Sequence, residues 1–200
     1  MTAQIPDLLR YRGIEYAVSL FSQPTLFDPA ILKLKPSIVS TACNRGYQAV
    51  FAISNSRLVL DTLRVNLLRG LRYRREGPVI NGIAPTEPSE EYRFFNNYYQ
   101  GLNYPIDYTG GILIADEFIR ELYVHLGFQS PWKYKKVIEL IFENGILKHE
   151  FDRSESIAHL REIILDANNN SPLSYPLASG DRDRIRGLVK RMFERFYEIV

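Results

Sequence analysis

Cysteine is nearly missing: Cys43 stands alone in 200 residues. A lone cysteine closes no internal disulfide, and its solitude fits a reducing compartment. Histidine is almost as scarce, and His125, His149 and His159 show neither HxxxH nor HExxH spacing. No zinc site is expected from them. No run approaches the ~18 uninterrupted apolar residues that a membrane span needs. Residues Met1–Asp7 also lack the basic start and apolar core of a secretory leader. These absences predict a cytoplasmic chain with no membrane partner. The phosphate-cradling patterns GxxxxGK[ST] and GxGxxG do not occur, and no cofactor is expected. No repeat of fixed period is present, which argues against a solenoid. Net charge is only +2, so affinity for a polyanion would have to come from a local patch.

What the chain does have is strand-like text between turn residues. Tyr11, Ile14, Tyr16 and Val18 around Gly13 predict a hairpin with brief strands bending at Arg12-Gly13. Prolines 24, 29 and 36 mark Ser22–Lys35 as mostly loop with one helical turn. Tyr47–Ile53 and Arg57–Leu63 flank the polar link Ser54-Asn55-Ser56, and alternation puts Tyr47, Ala49, Phe51 and Ile53 on one core face. Ser89-Glu90-Glu91 predicts a short helix carrying Tyr92, Phe95 and Tyr99 near one face. Further on, Gly111–Ala115 reads as a strand, followed by a turn at Asp116-Glu117 and a second extended run over Glu121–Leu126. A helix over Asp116–His125 is the rival. Val137–Phe142 and Ile146–Phe151 flank Glu143-Asn144-Gly145, the strongest local hairpin signal in the chain. Asp152 with Glu155 opens a helix over Ser154–Ala167, and Asp181 opens another over Arg182–Val200. Strands first and helices last predict an α+β fold: one domain over 1–200, with a mainly antiparallel sheet built from hairpins over 1–153 and a C-terminal helical pair over 154–200 packed on it.

Chemistry is sparse. His125, between Val124 and Leu126, has the residue type of a general base, although a hydrogen-bonded histidine at the edge of the core explains it as well. Cys43 follows an apolar strand end and precedes Arg45, which can depress a thiol pKa. A Cys43–His125 pair, with Asp107 or Asp116 orienting the imidazole, therefore defines a cysteine-nucleophile alternative. Against it, a lone cysteine usually packs as a small apolar side chain. Tyr108-Thr109-Gly110-Gly111 could present amides to an anion, or simply admit the chain to a strand. Arg69–Arg75, with Arg72, Tyr73 and Arg74 at its centre, and the aromatic stretch Tyr92–Tyr108 define a nucleic-acid alternative, in which arginines meet phosphates and rings stack on bases.

Four blocks carry a resemblance: Ser40-Thr41-Ala42-Cys43-Asn44-Arg45-Gly46-Tyr47, Pro105-Ile106-Asp107-Tyr108-Thr109-Gly110-Gly111, Tyr123-Val124-His125-Leu126-Gly127-Phe128, and Trp132-Lys133-Tyr134. Spanning about Ser37 to Arg153, they resemble a group of small bacterial cytosolic proteins of unknown function in which similar blocks keep the same order. The resemblance implies a bacterial source and a group-specific site near these blocks; it carries over no catalytic residue. The leading expectation is non-enzymatic binding of a protein partner, of the toxin-neutralising kind, with Trp132 and the Tyr92–Tyr108 aromatics available to an interface. Association with a second copy of the chain is compatible with it.

Overall fold

Three two-residue turns set the architecture. Arg12-Gly13, Asn55-Ser56 and Asn144-Gly145 all have positive φ at both positions, the backbone of the type I′ turn whose twist matches that of the flanking strands. The structure, a computed structural model, describes residues 2–38, 40–69, 73–87 and 90–169 with Gly187 and Phe193, and only the backbone at 69, 73, 74, 91 and 167–169. In chain order its elements are β1 (Leu8–Tyr11), β2 (Ile14–Phe21), β3 (Tyr47–Ser54), β4 (Arg57–Val65), β5 (Leu68–Arg69), β6 (Tyr73–Arg74), β7 (Asn97–Tyr99), β8 (Tyr104–Pro105), β9 (Gly110–Phe118), β10 (Tyr134–Glu143), β11 (Ile146–Asp152) and α1 (Ser154–Asn169).

The main sheet runs β11-β10-β9-β2-β1-β3-β4-β7, with β8 also on β4. All its pairings are antiparallel except β1 with β3. Ile146 pairs with Arg57, so β11 meets β4 and the order becomes circular. Leu58 N–H donates to Gly145 O and Leu147 N–H donates to Ser56 O, each at 2.7 Å, which makes this closure a joint between two hairpin tips. Beyond the joint, Ile106 N–H donates to Leu58 O and Leu102 N–H to Asp61 O. The outer edge of β4 is therefore lined along its length, and closure leaves it no exposed edge to pair with another chain.

Alternation along the strands divides the apolar residues between two cores. Leu9, Ala49, Phe51, Leu58, Leu60, Ile112, Ile114, Leu140 and Phe142 fill the interior. Leu113, Ala115 and Val137 face outward and are covered by Ile157, Leu160 and Ile164 of α1 and by Phe193. The mixed, mostly antiparallel sheet with its helix is an α+β fold. The helix starts as expected, with the Asp152 carboxylate accepting the Ser154 amide at 2.9 Å. The predicted helix over Arg182–Val200 lies outside the described residues apart from Gly187 and Phe193.

Four local expectations fail. β2 is not brief but eight residues long, because β9 pairs with its second half. The strand expected at Gly111–Ala115 continues to Phe118, since β10 goes on pairing past Asp116. Neither a second strand over Glu121–Leu126 nor the rival helix forms; Arg120–Leu122 is one 3-10 turn in an irregular excursion. Among the described residues after Ser89 only Glu90–Tyr92 is helical, again as a 3-10 turn, and Tyr99 belongs to β7. In both places aromatic and aliphatic residues spaced three and four apart came from chain that turns or pairs with distant strands, which periodicity cannot distinguish from helix.

Tyr99 gives the barrel an alkaline limit. Its ring is wholly buried and its hydroxyl donates to Pro78 O at 2.9 Å. Burial first, and then the charge of Glu76, push its pKa up to about 12. Because the folded value exceeds the unfolded value of ~10, this contribution to stability is fully present below pH 10 and is lost as pH rises toward 12. Urea titrations should show about 2–3 kcal/mol of stability disappearing across that window. Tyr99→Phe should lack this part of the alkaline slope.

Candidate functional site

Of the described candidate residues, Arg45 is in contact with a second candidate block, through Phe128. It follows Cys43 and Asn44 in a turn held by Cys43 N–H to Ser40 O and Gly46 N–H to Cys43 O. Among the described residues before Cys43 the expected strand does not form; isolated bridges, Pro36 to Leu67 and Ser40 to Cys43, occur there. The Arg45 guanidinium forms a bidentate pair with Asp7, Nη1 to Oδ2 at 2.7 Å and Nη2 to Oδ1 at 3.1 Å. The same carboxylate accepts the Ala49 amide at 2.8 Å, which fixes it to the start of β3. Burial works against the charge on Arg45, and the Asp7 carboxylate more than offsets it, so the arginine pKa is raised. Two rings flank the guanidinium: Tyr47 at 4.8 Å and Phe128 at 5.1 Å from centroid to Cζ.

Phe128 belongs to the excursion between β9 and β10, and here two of the resembling blocks meet. Gln129 clamps this loop by imitating a strand partner: its Nε2 donates to Val124 O at 2.7 Å and its Oε1 accepts the Val124 amide at 3.3 Å. Lys133 Nζ donates to the same Oε1 at 2.9 Å. That amine is buried, and burial lowers its pKa. The N-terminal segment holds the other side, through Gln4 N–H to Gly127 O at 2.8 Å. With its backbone so tied, the loop still exposes Tyr123 (50 %), Leu126 (45 %) and Phe128 (46 %). On the other flank of Arg45 lies an open depression of ≈ 370 Å³ lined by Thr25, Phe27, Asp28, Pro29, Pro36, Arg45 and Tyr47.

The cysteine-nucleophile arrangement is not assembled. Cys43 is 3 % exposed, and its Sγ donates to Tyr47 O at 3.4 Å. Burial pushes the thiol pKa up, against the lowering by Arg45 that the sequence suggested. The barrel should therefore protect it: iodoacetamide is expected to label Cys43 only after denaturation, as mass spectrometry would show. His125 is exposed, and its Nδ1 shares a hydrogen bond of 3.0 Å with the Tyr123 hydroxyl. Asp107 lies at the hairpin joint, where its Cα neighbours Gly145, and Asp116 accepts the Glu117 amide. Neither carboxylate is hydrogen-bonded to His125.

The glycine turn is framework. Tyr108 O accepts the Gly145 amide, the Tyr108 hydroxyl donates to Gly111 O at 2.9 Å, and the Gly111 amide donates to Ser22 Oγ at 2.9 Å. Thr109 Oγ1 accepts the Asn144 amide at 2.9 Å. A Cβ at Gly110 would meet Ser22 Oγ, which would have to turn away from the Gly111 amide. Trp132 is half-buried beside α1, and its carbonyl accepts Arg161 Nε. Arg72 and the side chains of Tyr73 and Arg74 lie outside the described residues. Tyr92 and Tyr98, expected to be free for stacking, both border Arg64 instead, at 3.7 and 5.8 Å. Among the described residues no group of three or more His, Cys, Asp or Glu side chains could hold a metal ion, and no helix there is long and apolar enough to cross a membrane.

Asp7 and Gln129 carry no sequence signal, because their roles come from hydrogen bonds to other segments rather than from a local motif. No protein-family model, curated protein or solved structure matches the chain.

Proposed function

We propose that this chain is a non-enzymatic protein-binding protein that docks a folded partner on the surface around Arg45. The observation that supports it is the excursion clamped by Gln129, which holds Tyr123, Leu126 and Phe128 half-exposed on a backbone tied from two sides. Ordering costs of association are then largely met in advance, the circumstance in which a small apolar patch contributes most. Tyrosine, phenylalanine and arginine are also the residue types enriched at interface centres. Three such side chains expose at most a few hundred Å², a size suited to the centre of a non-obligate interface rather than to the ~2,000 Å² or more of an obligate homodimer. The partner is therefore another protein, apolar where it meets Leu126 and Phe128. Cytoplasmic toxin neutralisation is the narrower form of this reading.

Leu126→Asp is the informative change, since Leu126 is exposed and belongs to neither core. Capture from cells of the native source should yield a stoichiometric partner with the wild-type chain and at least about tenfold less with Leu126→Asp. Equal capture by both proteins would reject the surface. Recovery of only a second copy of the chain would replace the partner with self-association.

A further inference from the structure

The outer face of the barrel holds an arginine with which no acid among the described residues forms an ion pair. Gln48, Arg64 and Tyr98 form one cross-strand row over β3, β4 and β7. Arg64 is only 4 % exposed. Its Nη1 donates to Gln48 Oε1 at 2.8 Å, and Gln48 is itself fixed because its Nε2 donates to Pro6 O at 2.9 Å. Tyr92 covers the guanidinium with its ring centroid 3.7 Å from Cζ. Nε is buried without an acceptor, and no carboxylate among the described residues forms an ion pair with the group.

The other described arginines in partly or fully buried settings are treated differently. Arg153 directs Nε and Nη2 at Glu139, at 2.9 and 2.8 Å. Arg161 directs the same two nitrogens at the carbonyls of Trp132 and Tyr134, each at 2.6 Å. Arg45 pairs with Asp7. In Arg64 the Nε edge, which with Nη2 forms the side-on fork matched to two coplanar oxygens, faces no protein acceptor. Burying a cation costs free energy unless it is paired and its donors are met. Gln48 supplies one neutral acceptor and Tyr92 a ring face, and neither neutralises the charge.

We infer that Arg64 is the recognition residue of an oxyanion site, taking a carboxylate or phosphate group on its Nε and Nη2 nitrogens. Gln48 sets the guanidinium plane from the Nη1 side. Tyr92, half-exposed and carried on the single 3-10 turn Glu90–Tyr92, covers the approach from solvent and has to shift to admit the anion. The site is independent of the Arg45 surface, although one segment serves both: Pro6 O holds Gln48, and Asp7 holds Arg45.

Acetate and inorganic phosphate, compared with chloride at equal ionic strength, provide the test. Binding would be followed through the arginine Nε–H signals in ¹⁵N–¹H NMR and through the melting temperature. The Arg64 signal should shift saturably with acetate, phosphate or both, and the responding anion names the ligand class; the Arg161 signal should stay in place. Arg64→Lys keeps the charge but removes the fork, and should weaken binding about tenfold or more. A melting temperature that responds no more to acetate or phosphate than to chloride, with an unmoved Arg64 signal, would overturn the inference and leave Arg64 as an internally hydrated structural residue. An equal response in Arg64→Lys would overturn it too. The wild-type NMR titration decides alone if that variant does not fold.

Discussion

Gly46→Ala is expected to cost about 3–5 kcal/mol, enough to unfold a domain of ordinary stability. Gly46 has φ +72°, and a Cβ there would run into the backbone carbonyl of Ser37. Backbone cannot step aside as a side-chain tip can. Ser37 is fixed through its own amide to Asn66 O, and the Asn66 amide is bound to Gly46 O, both at 2.8 Å. The methyl group would therefore break the knot that joins the 37–46 loop to the end of β4, and it would move Arg45 with it. Gly82→Ala is the control. Gly82 has φ +81° but nothing within 4 Å of the added Cβ, so only the backbone strain of roughly 1–2 kcal/mol remains. Urea denaturation of the two variants separates the collision from the dihedral cost.

Asp7→Ala is the second large effect, expected at roughly 2–4 kcal/mol. The carboxylate answers three donors: two from Arg45 and one from the Ala49 amide. Removing it leaves a half-buried guanidinium without its counter-charge and a buried amide without its acceptor. The exposure of Arg45, whose side chain is 29 % accessible, keeps the loss below that of a fully enclosed pair. Arg45→Lys keeps a counter-charge for the Asp7 carboxylate, the more buried partner at 10 % accessible, and should be less damaging to stability. Its effect should instead appear in partner binding, because Phe128 loses the guanidinium beneath its ring. Thermal melts of both variants, set beside their partner capture, would show whether stability and binding separate in this way.

Legibility in the sequence follows the range of the interactions. The hairpins at Arg12-Gly13, Asn55-Ser56 and Asn144-Gly145 could be read because a two-residue turn declares itself through residues that tolerate positive φ. The inward face of β3 could be read because alternation has one period throughout a strand. Closure of the barrel could not, since it rests on the tips of two hairpins meeting about ninety residues apart. Extension of β9 to Phe118 was hidden for the same reason: Asp116-Glu117 looks like a turn until β10 lies beside it.

The candidate site was legible only in part. Arg45, Cys43 and the Tyr123–Phe128 block were singled out, and the structure places Arg45 beneath Phe128. The sequence treated Cys43 and His125 as potential chemistry, yet one is enclosed and the other is paired with Tyr123 on the surface. Arg64 alternates with Leu63 and Val65, the pattern of an outward, solvated residue. Its burial under Tyr92 comes from a segment nearly thirty residues away, and no local rule foretells it.

The docking surface is tested most directly by a photocrosslinking amino acid placed at position 126 and, as control, at the exposed position 148 on β11, followed by irradiation in cells of the native source. The account predicts one discrete protein adduct from position 126, none from 148, and loss of the adduct when Phe128 is changed to Asp. No adduct from 126, or the same adducts from both positions, would contradict it.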